Sequence, residues 1–251
     1  MRTALGSRMI PAGFCLLFLL ALPLTAGPIT NFYSIDYPGA IRTDAYKVND
    51  YHQVVGAYQD AGGAFHGYIF DYGHQTFTPL DFPRSNRTLA YGINDNGEVS
   101  GYYRDSGNVV HGFRYSGGVW TSIDFPGSTR TFIYGDASDS LVGRYRDSNM
   151  VFHPFICTRN SGCSAWPDYP GASSTVPYAI NDSGTSVGYW ADSTGSVYNG
   201  YSYDGSTFAL GAYPGALATF AEGINNSGDV VGAWGGTDTL YHGFLYRGGV
   251  Y

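Results

Sequence analysis

The most unusual feature of the sequence is how little lysine and glutamate it contains. Among 251 residues there is one lysine, Lys47, and there are two glutamates, Glu98 and Glu222. Both residue types favour helices, whereas Gly, Tyr and Phe are abundant, with 36, 23 and 15 residues. Thr, Val and Asn-Asp pairs are also frequent, and this composition is typical of strands and turns. We therefore expect an all-β protein.

Long apolar runs are absent except at the amino terminus. Arg2 and Arg8 precede the apolar run Phe14–Leu24, and Leu24-Thr25-Ala26 resembles a small-residue cleavage site. The run is too short to span a bilayer comfortably. Residues 1–26 are therefore predicted to be a cleaved signal peptide, and the mature protein is expected to be soluble and located in the periplasm or outside the cell.

Basic residues are scarce in the predicted mature chain, residues 27–251. Without the two arginines of the signal peptide, 11 basic residues face 20 acidic residues, which gives a net charge of −9. Nucleic acids and anionic membranes are bound mainly through Lys and Arg, so neither is expected as a partner. The length suits one sizeable all-β domain, and we expect a monomer.

Cysteine is also rare, and Cys15 lies in the segment that is predicted to be removed. The other two, Cys157 and Cys163, are separated by five residues in the stretch CTRNSGC. In an exported protein such a close pair is expected to form a disulfide that staples a hairpin. A redox or metal-binding pair is the alternative, but the spacing fits neither well.

What fills the mature chain is a tandem repeat. Residues 91–115 read YGINDNGEVSGYYRDSGNVVHGFRY, and variants of this stretch occur five times. A turn rich in Asn and Asp, a His-Gly pair, a proline corner and a threonine keep the same order in the copies, with few exceptions. The register is marked by glycines spaced 45, 42, 45 and 44 residues apart: Gly56, Gly101, Gly143, Gly188 and Gly232. Such a period indicates an array of one supersecondary unit.

Each copy predicts four short strands. In the second copy these are Thr88–Asn94, Glu98–Arg104, Val109–Tyr115 and Val119–Phe125. Four-stranded antiparallel units of this length match the blades of a β-propeller. We expect five blades, with Phe32–Asp36 supplying the missing fourth strand of the last blade and so closing the ring. An open array, or one completed by a dimer, is the alternative.

Three motifs within the repeat carry a resemblance to a known family. They are Gly92-Ile93-Asn94-Asp95, His111-Gly112-Phe113 and Ile123-Asp124-Phe125-Pro126-Gly127, and variants recur through residues 32–251. In this pattern the chain resembles the HAF-type extracellular repeat family, although Gly or Pro usually replaces the middle alanine of the name motif. The resemblance implies bacterial export and a repeat architecture. It brings no established activity and no catalytic residue.

The repeated polar residues are interpreted as scaffold. A catalytic histidine is normally unique in its site, whereas one repeat position holds histidine in four copies and Asn199 in another. Hydrogen bonding within the unit is the simpler interpretation for His66, His111, His153 and His242. The aspartates before the aromatic-proline corner are expected to accept backbone hydrogen bonds; they are Asp36, Asp81, Asp124 and Asp168.

Function is therefore sought where the repeat is broken. Arginine precedes the first strand in the first three copies only, near a repeated tyrosine. Guanidinium groups and aromatic rings suit anionic or sugar ligands. The predicted binding site consists of Arg42, Arg87, Arg130, Tyr46, Tyr91 and Tyr134. The alternative is that these arginines pair with neighbouring aspartates across blades.

Glu222 is a second exception, because it replaces the repeated tyrosine in the fifth copy. With an axial aspartate it would supply the two carboxylates of a glycoside hydrolase or lyase. No nucleophile elbow, phosphate-binding loop, zinc signature or dinucleotide fingerprint appears. We expect no cofactor and no metal site, with calcium at the Asp/Asn turns left open. The favoured hypothesis is a non-catalytic binding module for a polysaccharide or an anionic ligand, with the enzyme as the alternative.

Overall fold

The computed structural model describes residues 33–238 and 240–251. The predicted signal peptide, with Cys15, and Phe32 of the predicted closing strand lie outside the described residues. The chain divides into Met1–Ser34 and Ile35–Tyr251, and the strands of the described residues lie in the second of these. Within the described ranges, no helix is long and apolar enough to cross a membrane.

The strands follow the predicted repeat and fall into successive units. Unit 1 consists of β1 (Arg42–Val48), β2 (Gln53–Gln59), β3 (Phe65–Asp71) and β4 (Thr76–Leu80). Unit 2 consists of β5 (Arg87–Ile93), β6 (Val99–Arg104), β7 (Val110–Ser116) and β8 (Val119–Ile123). Unit 3 consists of β9 (Arg130–Asp136), β10 (Ser140–Arg146), β11 (Phe152–Thr158) and β12 (Gly162–Ala165). Unit 4 consists of β13 (Ser174–Ile180), β14 (Ser186–Ala191), β15 (Tyr198–Tyr203) and β16 (Phe208–Ala209), and unit 5 of β17 (Ala218–Ile224), β18 (Val230–Gly235) and β19 (Tyr241–Tyr246).

Consecutive strands pair in antiparallel fashion within every unit. Units 1, 2 and 3 are separate four-stranded sheets, and units 4 and 5 share one seven-stranded sheet. The two units of this larger sheet are joined by a single parallel pair between Tyr198 and Ala218. The predicted all-β class and the antiparallel four-stranded unit are thus confirmed.

One hydrogen bond before the first strand of each unit explains why the threonine and the aromatic-proline corner recur together. The backbone N–H of the corner aromatic donates to the threonine Oγ1 six residues later, at 2.8–3.0 Å. The corner ring then stacks on a ring of the second strand, with centroids 3.6–4.5 Å apart. The stacked pairs are Tyr37–Tyr58, Phe82–Tyr103, Phe125–Tyr145, Tyr169–Trp190 and Tyr213–Trp234. A satisfied amide and a stacked ring therefore hold each corner on the unit that follows it.

Apolar side chains of neighbouring units form the core. Between units 1 and 2, Val55 and Leu80 of unit 1 pack in one cluster with Ala90 and Ile93 of unit 2. Fully burying an aliphatic side chain of this size stabilises the fold by about 1.5–3 kcal/mol. The contact between faces of adjacent sheets is therefore a main source of stability.

Tyr251 has the ring contacts in unit 5 that Trp120 has in the fourth strand of unit 2. Val250 forms a bridge with Arg247, and the Tyr251 ring lies 5.1, 5.2 and 4.9 Å from the rings of Tyr213, Phe244 and Tyr246. The equivalent rings of unit 2 surround Trp120 at 5.3, 5.1 and 4.7 Å. By repeat register this is the position that Phe32 has in the predicted closing strand Phe32–Asp36. Phe32 lies outside the described residues, so the closing strand stays a prediction.

The faces of units 5 and 1 that would meet in a closed ring are uncovered. Val231 of unit 5 is 50% exposed, whereas Val55, Val142 and Val187 occupy the same position in other units and are fully buried. On unit 1, Val48 is 57% exposed, whereas its counterpart Ile93 in unit 2 is 2% exposed. Residues 33–41 form no strand, so the predicted closing strand is not seen in the described residues.

Candidate functional site

A β-bulge aims one side chain of each unit into a shared central cavity. Pairing between the first and second strands skips one residue in every unit. Because a bulged residue is left out of the ladder, its side chain is redirected. The skipped residues are Tyr46, Tyr91, Tyr134, Tyr178 and Glu222, and all of them line one cavity of about 590 Å³.

The glycine that marks the repeat register is required by this bulge. Opposite the bulge, a carbonyl oxygen of the first strand lies directly over the glycine of the second strand. A Cβ added to Gly143 would overlap the carbonyl oxygen of Phe132, and the other units show the same overlap. The five overlapping positions are Gly56, Gly101, Gly143, Gly188 and Gly232. The register glycines therefore belong to the architecture of the cavity.

The cavity wall is mainly aromatic. Seven lining residues are aromatic: Tyr46, Tyr91, Tyr102, Phe132, Tyr134, Tyr178 and Tyr189. The rings of Tyr46 and Tyr91 are stacked with centroids 4.3 Å apart. Burial raises the pKa of Tyr46 to about 12 and also raises the pKa of Tyr91, Tyr134 and Tyr178. Their hydroxyls are therefore neutral at physiological pH and can both donate and accept hydrogen bonds.

The position after the register glycine supplies cavity residues that the sequence patterns did not single out. It reads Ala57, Tyr102, Arg144, Tyr189 and Ala233 from unit 1 to unit 5, and the three larger side chains line the cavity. The signal in the sequence is that this position varies between the copies although it follows a glycine that is present in all five. The Arg144 guanidinium lies over the Phe152 ring at 4.4 Å and near the Phe132 ring at 5.3 Å.

The structure brings together the three predicted tyrosines, but the three predicted arginines are not among the residues that line the cavity. Arg42 is exposed and forms an ion pair with Asp44 at 2.8 Å. Arg87 lies over the Phe65 ring at 4.4 Å, and Arg130 pairs across the sheet with Arg146. Asp44 belongs to the same strand as Arg42. In the described part of the chain none of the three arginines forms an ion pair with an aspartate of a neighbouring unit, the alternative considered above.

Glu222 lies in the cavity wall contributed by unit 5, and desolvation raises the pKa of its carboxyl group. Among the described residues that line this cavity, it is the one carboxylate. A glycosidase pair requires a second carboxyl group within about 5–10 Å. Asp136, at the end of a first strand, lines a different cavity.

That second cavity, of about 390 Å³, lies among the turns that join the first and second strands. Lys47 lines both cavities, at a repeat position where the other units have Gly92, Gly135, Ala179 and Gly223. Its Nζ donates to the backbone carbonyl of Asp136 at 2.7 Å. This lysine therefore separates the aromatic cavity from the polar one.

The Asn-Asp turns link one unit to the next by hydrogen bonds. The backbone N–H of Asp50 donates to Asp95 Oδ1 at 2.9 Å, and Ser138 donates likewise to Asp182 Oδ1 at 2.9 Å. The amide of Asn49 donates to the Asn94 carbonyl, and that of Asn181 to the Asn225 carbonyl. These carboxylates are therefore engaged by backbone and side-chain donors. Among the described residues, no group of three or more His, Cys, Asp and Glu side chains is arranged to hold a metal ion.

The repeated histidines lie at the rim of each unit, between carboxylates and an aromatic ring. His66 Nδ1 is 2.9 Å from Asp81 Oδ1, and the imidazole stacks on Tyr58 at 5.0 Å. His111 and His153 contact Asp124 and Asp168 in the same way, at 2.9 and 3.0 Å. The contact of His242 is with Asp238, at 2.8 Å. The predicted disulfide between Cys157 and Cys163 is present and joins β11 to β12.

Known proteins are similar to this chain in structure but not in sequence. No protein-family model matches the chain, and no curated protein sequence matches it. Putative TolB from Agrobacterium tumefaciens is similar in structure, with a TM-score of 0.62, 13% identity, and coverage of 83% of this chain and 78% of that one. The β-propeller domain of the Trilobed protease from Pyrococcus furiosus has a TM-score of 0.57 and 12% identity, and the match covers 83% of this chain and 68% of that one.

A lectin from Aleuria aurantia in complex with α-methyl-L-fucoside is also similar, with a TM-score of 0.52 and 14% identity over 82% of this chain and 74% of that one. This chain has a β-propeller fold. Each unit is therefore a blade, with its first strand at the propeller axis and its fourth strand at the rim. The aromatic cavity occupies the axial channel, and Lys47 divides that channel from the polar cavity at the turn end.

Proposed function

We propose that the protein is an exported, non-catalytic binding module that holds a carbohydrate in its axial aromatic cavity. The observation that carries the proposal is the cavity wall of seven aromatic side chains, six of which are tyrosines with a hydroxyl group. Sugar rings present apolar C–H faces that stack on aromatic rings, and their hydroxyls require donors and acceptors beside those rings. The volume of about 590 Å³ falls in the usual range for small-ligand sites.

Several finer points belong to the same proposal. The resemblance to HAF-type extracellular repeats and the apolar segment at residues 14–24 support export through a signal peptide. The three arginines predicted from the sequence remain candidates for ligand contacts at the mouth of the cavity: Arg42, Arg87 and Arg130. The ligand is expected to belong to a polysaccharide or to a cell surface.

The proposed propeller has five blades and is closed by the amino-terminal segment. Tyr33-Ser34-Ile35-Asp36 has the pattern of Thr121-Ser122-Ile123-Asp124 in the fourth strand of blade 2. It would follow Val250 and Tyr251 in the fourth strand of blade 5. By the register of blade 2, Tyr33 would then lie opposite Leu245. Cysteines at these two positions should form a disulfide under mild oxidation, and cysteines at Tyr33 and the distant Met150 should not.

Binding is tested with a glycan array followed by calorimetry on the ligands found. Tyr102→Ala and Tyr189→Ala should each weaken binding about fivefold or more, since one lost stacking contact is worth on the order of 1 kcal/mol or more. Tyr51→Ala is the matched control, because Tyr51 lies in a turn outside the cavity and is 69% exposed. If none of the sugars binds, or if all three variants bind alike, the proposed site is wrong.

An enzyme that uses Glu222 is the second candidate, favoured by the raised pKa of that cavity carboxyl group. A raised pKa suits a general acid. Wild type and Glu222→Gln would be compared on the polysaccharides that bind, by measuring release of reducing ends. Turnover that is lost in Glu222→Gln would establish the enzyme, and turnover that the variant retains would exclude Glu222 as its acid.

A further inference from the structure

Arg144 is a cavity cation without an acidic partner. It lines the aromatic cavity, and in the described part of the chain it forms no ion pair. Arg42 and Arg247, by contrast, pair with Asp44 and Asp229 at 2.8 and 2.7 Å. The mature chain has an excess of acidic residues, so a shortage of carboxylates does not explain the missing partner.

The surroundings hold the Arg144 guanidinium in place without neutralising it. Its Cζ lies 4.4 Å from the centre of the Phe152 ring and 5.8 Å from that of Tyr134. Its Nε is shielded from solvent and has no hydrogen-bond acceptor among the described residues. Stacking on aromatic faces fixes the plane of a guanidinium while leaving its charge available.

Arg87 provides a second cation of the same kind close by. It also lies over an aromatic ring, that of Phe65, and its Nε likewise lacks an acceptor among the residues that the structure describes. Burial is the largest influence on the pKa of Tyr102 and raises it, while the charges of both Arg87 and Arg144 oppose that rise. Tyr102, a residue of the cavity wall, therefore lies within electrostatic reach of both guanidinium groups, although Arg87 itself does not line the cavity.

The opposite wall differs in charge. Glu222 lies in the wall contributed by blade 5 and forms no ion pair in the described part of the chain, and desolvation raises its pKa. Lys47 of blade 1 also lines the cavity, but its Nζ is bonded to the carbonyl oxygen of Asp136. A uniformly basic cavity would favour any polyanion. A cavity with the stacked Arg144 on blade 3 and a carboxylate on blade 5 instead selects a ligand with one anionic edge and a neutral remainder.

We propose that the cavity takes a sugar residue that carries a carboxylate, a uronate, with its ring on the tyrosines and its carboxylate on Arg144. This inference rests on the carbohydrate-binding function proposed above and specifies its ligand class. A planar carboxylate matches the paired donors of a guanidinium. A neutral hexose would leave the Arg144 charge unpaired, at a cost in affinity.

The test compares galacturonate oligomers with their methyl esters, which keep the sugar ring and remove the charge. Wild type should bind the acid at least about tenfold more tightly than the ester, as expected for one charge-assisted contact. Arg144→Gln should abolish that preference and leave the affinity for the ester within about twofold. Arg84→Gln is the control, since Arg84 is exposed in a corner loop and its substitution changes the net charge equally.

The outcomes separate this inference from the proposal on which it rests. Binding of neutral sugars alone, of sulfated sugars alone, or of acid and ester equally would overturn the uronate inference and leave carbohydrate binding intact. Binding of no sugar would overturn both. If Arg144→Gln does not fold, the salt dependence of the wild type decides: affinity for the acid should fall with added salt while that for the ester should not.

Discussion

The Nζ atom of Lys47 in blade 1 donates a hydrogen bond of 2.7 Å to the backbone carbonyl oxygen of Asp136 in blade 3. The contact joins two residues that are exceptions to the repeat, one at the end of the first strand in blade 1 and one in blade 3. Lys47 stands where other blades have glycine or alanine, and Asp136 stands where they have Val48, Ile93, Ile180 and Ile224. The charged pair of residues forms the partition between the two cavities.

The first prediction concerns the protonation of Lys47. Burial lowers its pKa below the ordinary 10.5, an effect that nearby Asp136, Asp182 and Asp95 oppose. Lys47 is the one lysine of the sequence, so protein with ¹³C-labelled lysine has a single side-chain resonance to titrate. Its midpoint should lie below 10.5 in the folded protein and return to about that value when the chain is unfolded in guanidinium chloride. A folded midpoint at or above the unfolded one would contradict the burial of this amine.

The second prediction concerns the buried carboxyl group of Asp136, which is 1% exposed. Burial raises its pKa from 3.8 to about 6, so its contribution to stability is complete below pH 3.8 and is lost as the pH rises through 6. Asp136→Asn should therefore raise the free energy of unfolding at about pH 8 by about 1–3 kcal/mol. The gain should disappear near pH 4, as measured by denaturant titration at each pH.

Asp182→Asn is the control for that experiment and has the opposite sign. Hydrogen bonds from Ser138 lower the pKa of Asp182, so its contribution is present above the unfolded pKa and is lost as the pH falls. Asp182→Asn should destabilise the protein at about pH 8 and matter less in acid. A stabilising effect of both substitutions at pH 8 would indicate general charge reduction and would contradict the assignment for Asp136.

The third prediction concerns the bulge glycines. A Cβ at Gly232 would overlap the carbonyl oxygen of Phe220, whereas one at Gly235, in the same strand, would make ordinary contacts. Gly232→Ala should lower the free energy of unfolding by at least about 2 kcal/mol, because the backbone of the bulge must move. Gly235→Ala should change it by less than about 0.5 kcal/mol. Equal effects in thermal or denaturant unfolding would contradict the steric role of the bulge.

The fourth prediction concerns the histidine at the rim of blade 1. Burial lowers the pKa of His66, but its bonds and charge interactions with Asp81 and Asp60 outweigh this and raise the pKa above 6.5. The stabilisation is therefore complete below pH 6.5 and is lost as the pH rises through the folded pKa. His66→Asn, which introduces the residue that blade 4 has at this position, should destabilise more at about pH 5.5 than at about pH 8.5.

Much of the fold could be predicted because each recurring residue has one local task. The corner threonine accepts an amide, the turn asparagine caps a hairpin, and the histidine bonds to an aspartate, so periodicity alone located the strands. The ends of the array were harder. The hairpin Ser116–Val119 of blade 2 recurs at Arg247–Val250 and brings Tyr251 to the place of Trp120, whereas the sequence-based prediction ended the last copy directly after its third strand.

The site could be predicted only in part. The repeated tyrosines were found through their neighbours in sequence, but the bulge that redirects them has no sequence signature apart from the glycine opposite. Arg42, Arg87 and Arg130 were selected as exceptions in the loop before the first strand, whereas the arginine that lines the cavity, Arg144, is on the second strand. Which residues of different blades lie close together at the axis depends on how the blades pack. The spacing of residues along one blade does not reveal it.

The bulge described for every blade has a consequence for how such a protein can diversify. Because the skipped residue makes no ladder contact, its side chain can change from Tyr to Glu without altering the pairing around it, as blade 5 shows. Each blade thus has one position at the cavity where the side chain can be replaced without a change in strand pairing. A single substitution at such a position can therefore change the ligand preference while the fold is kept.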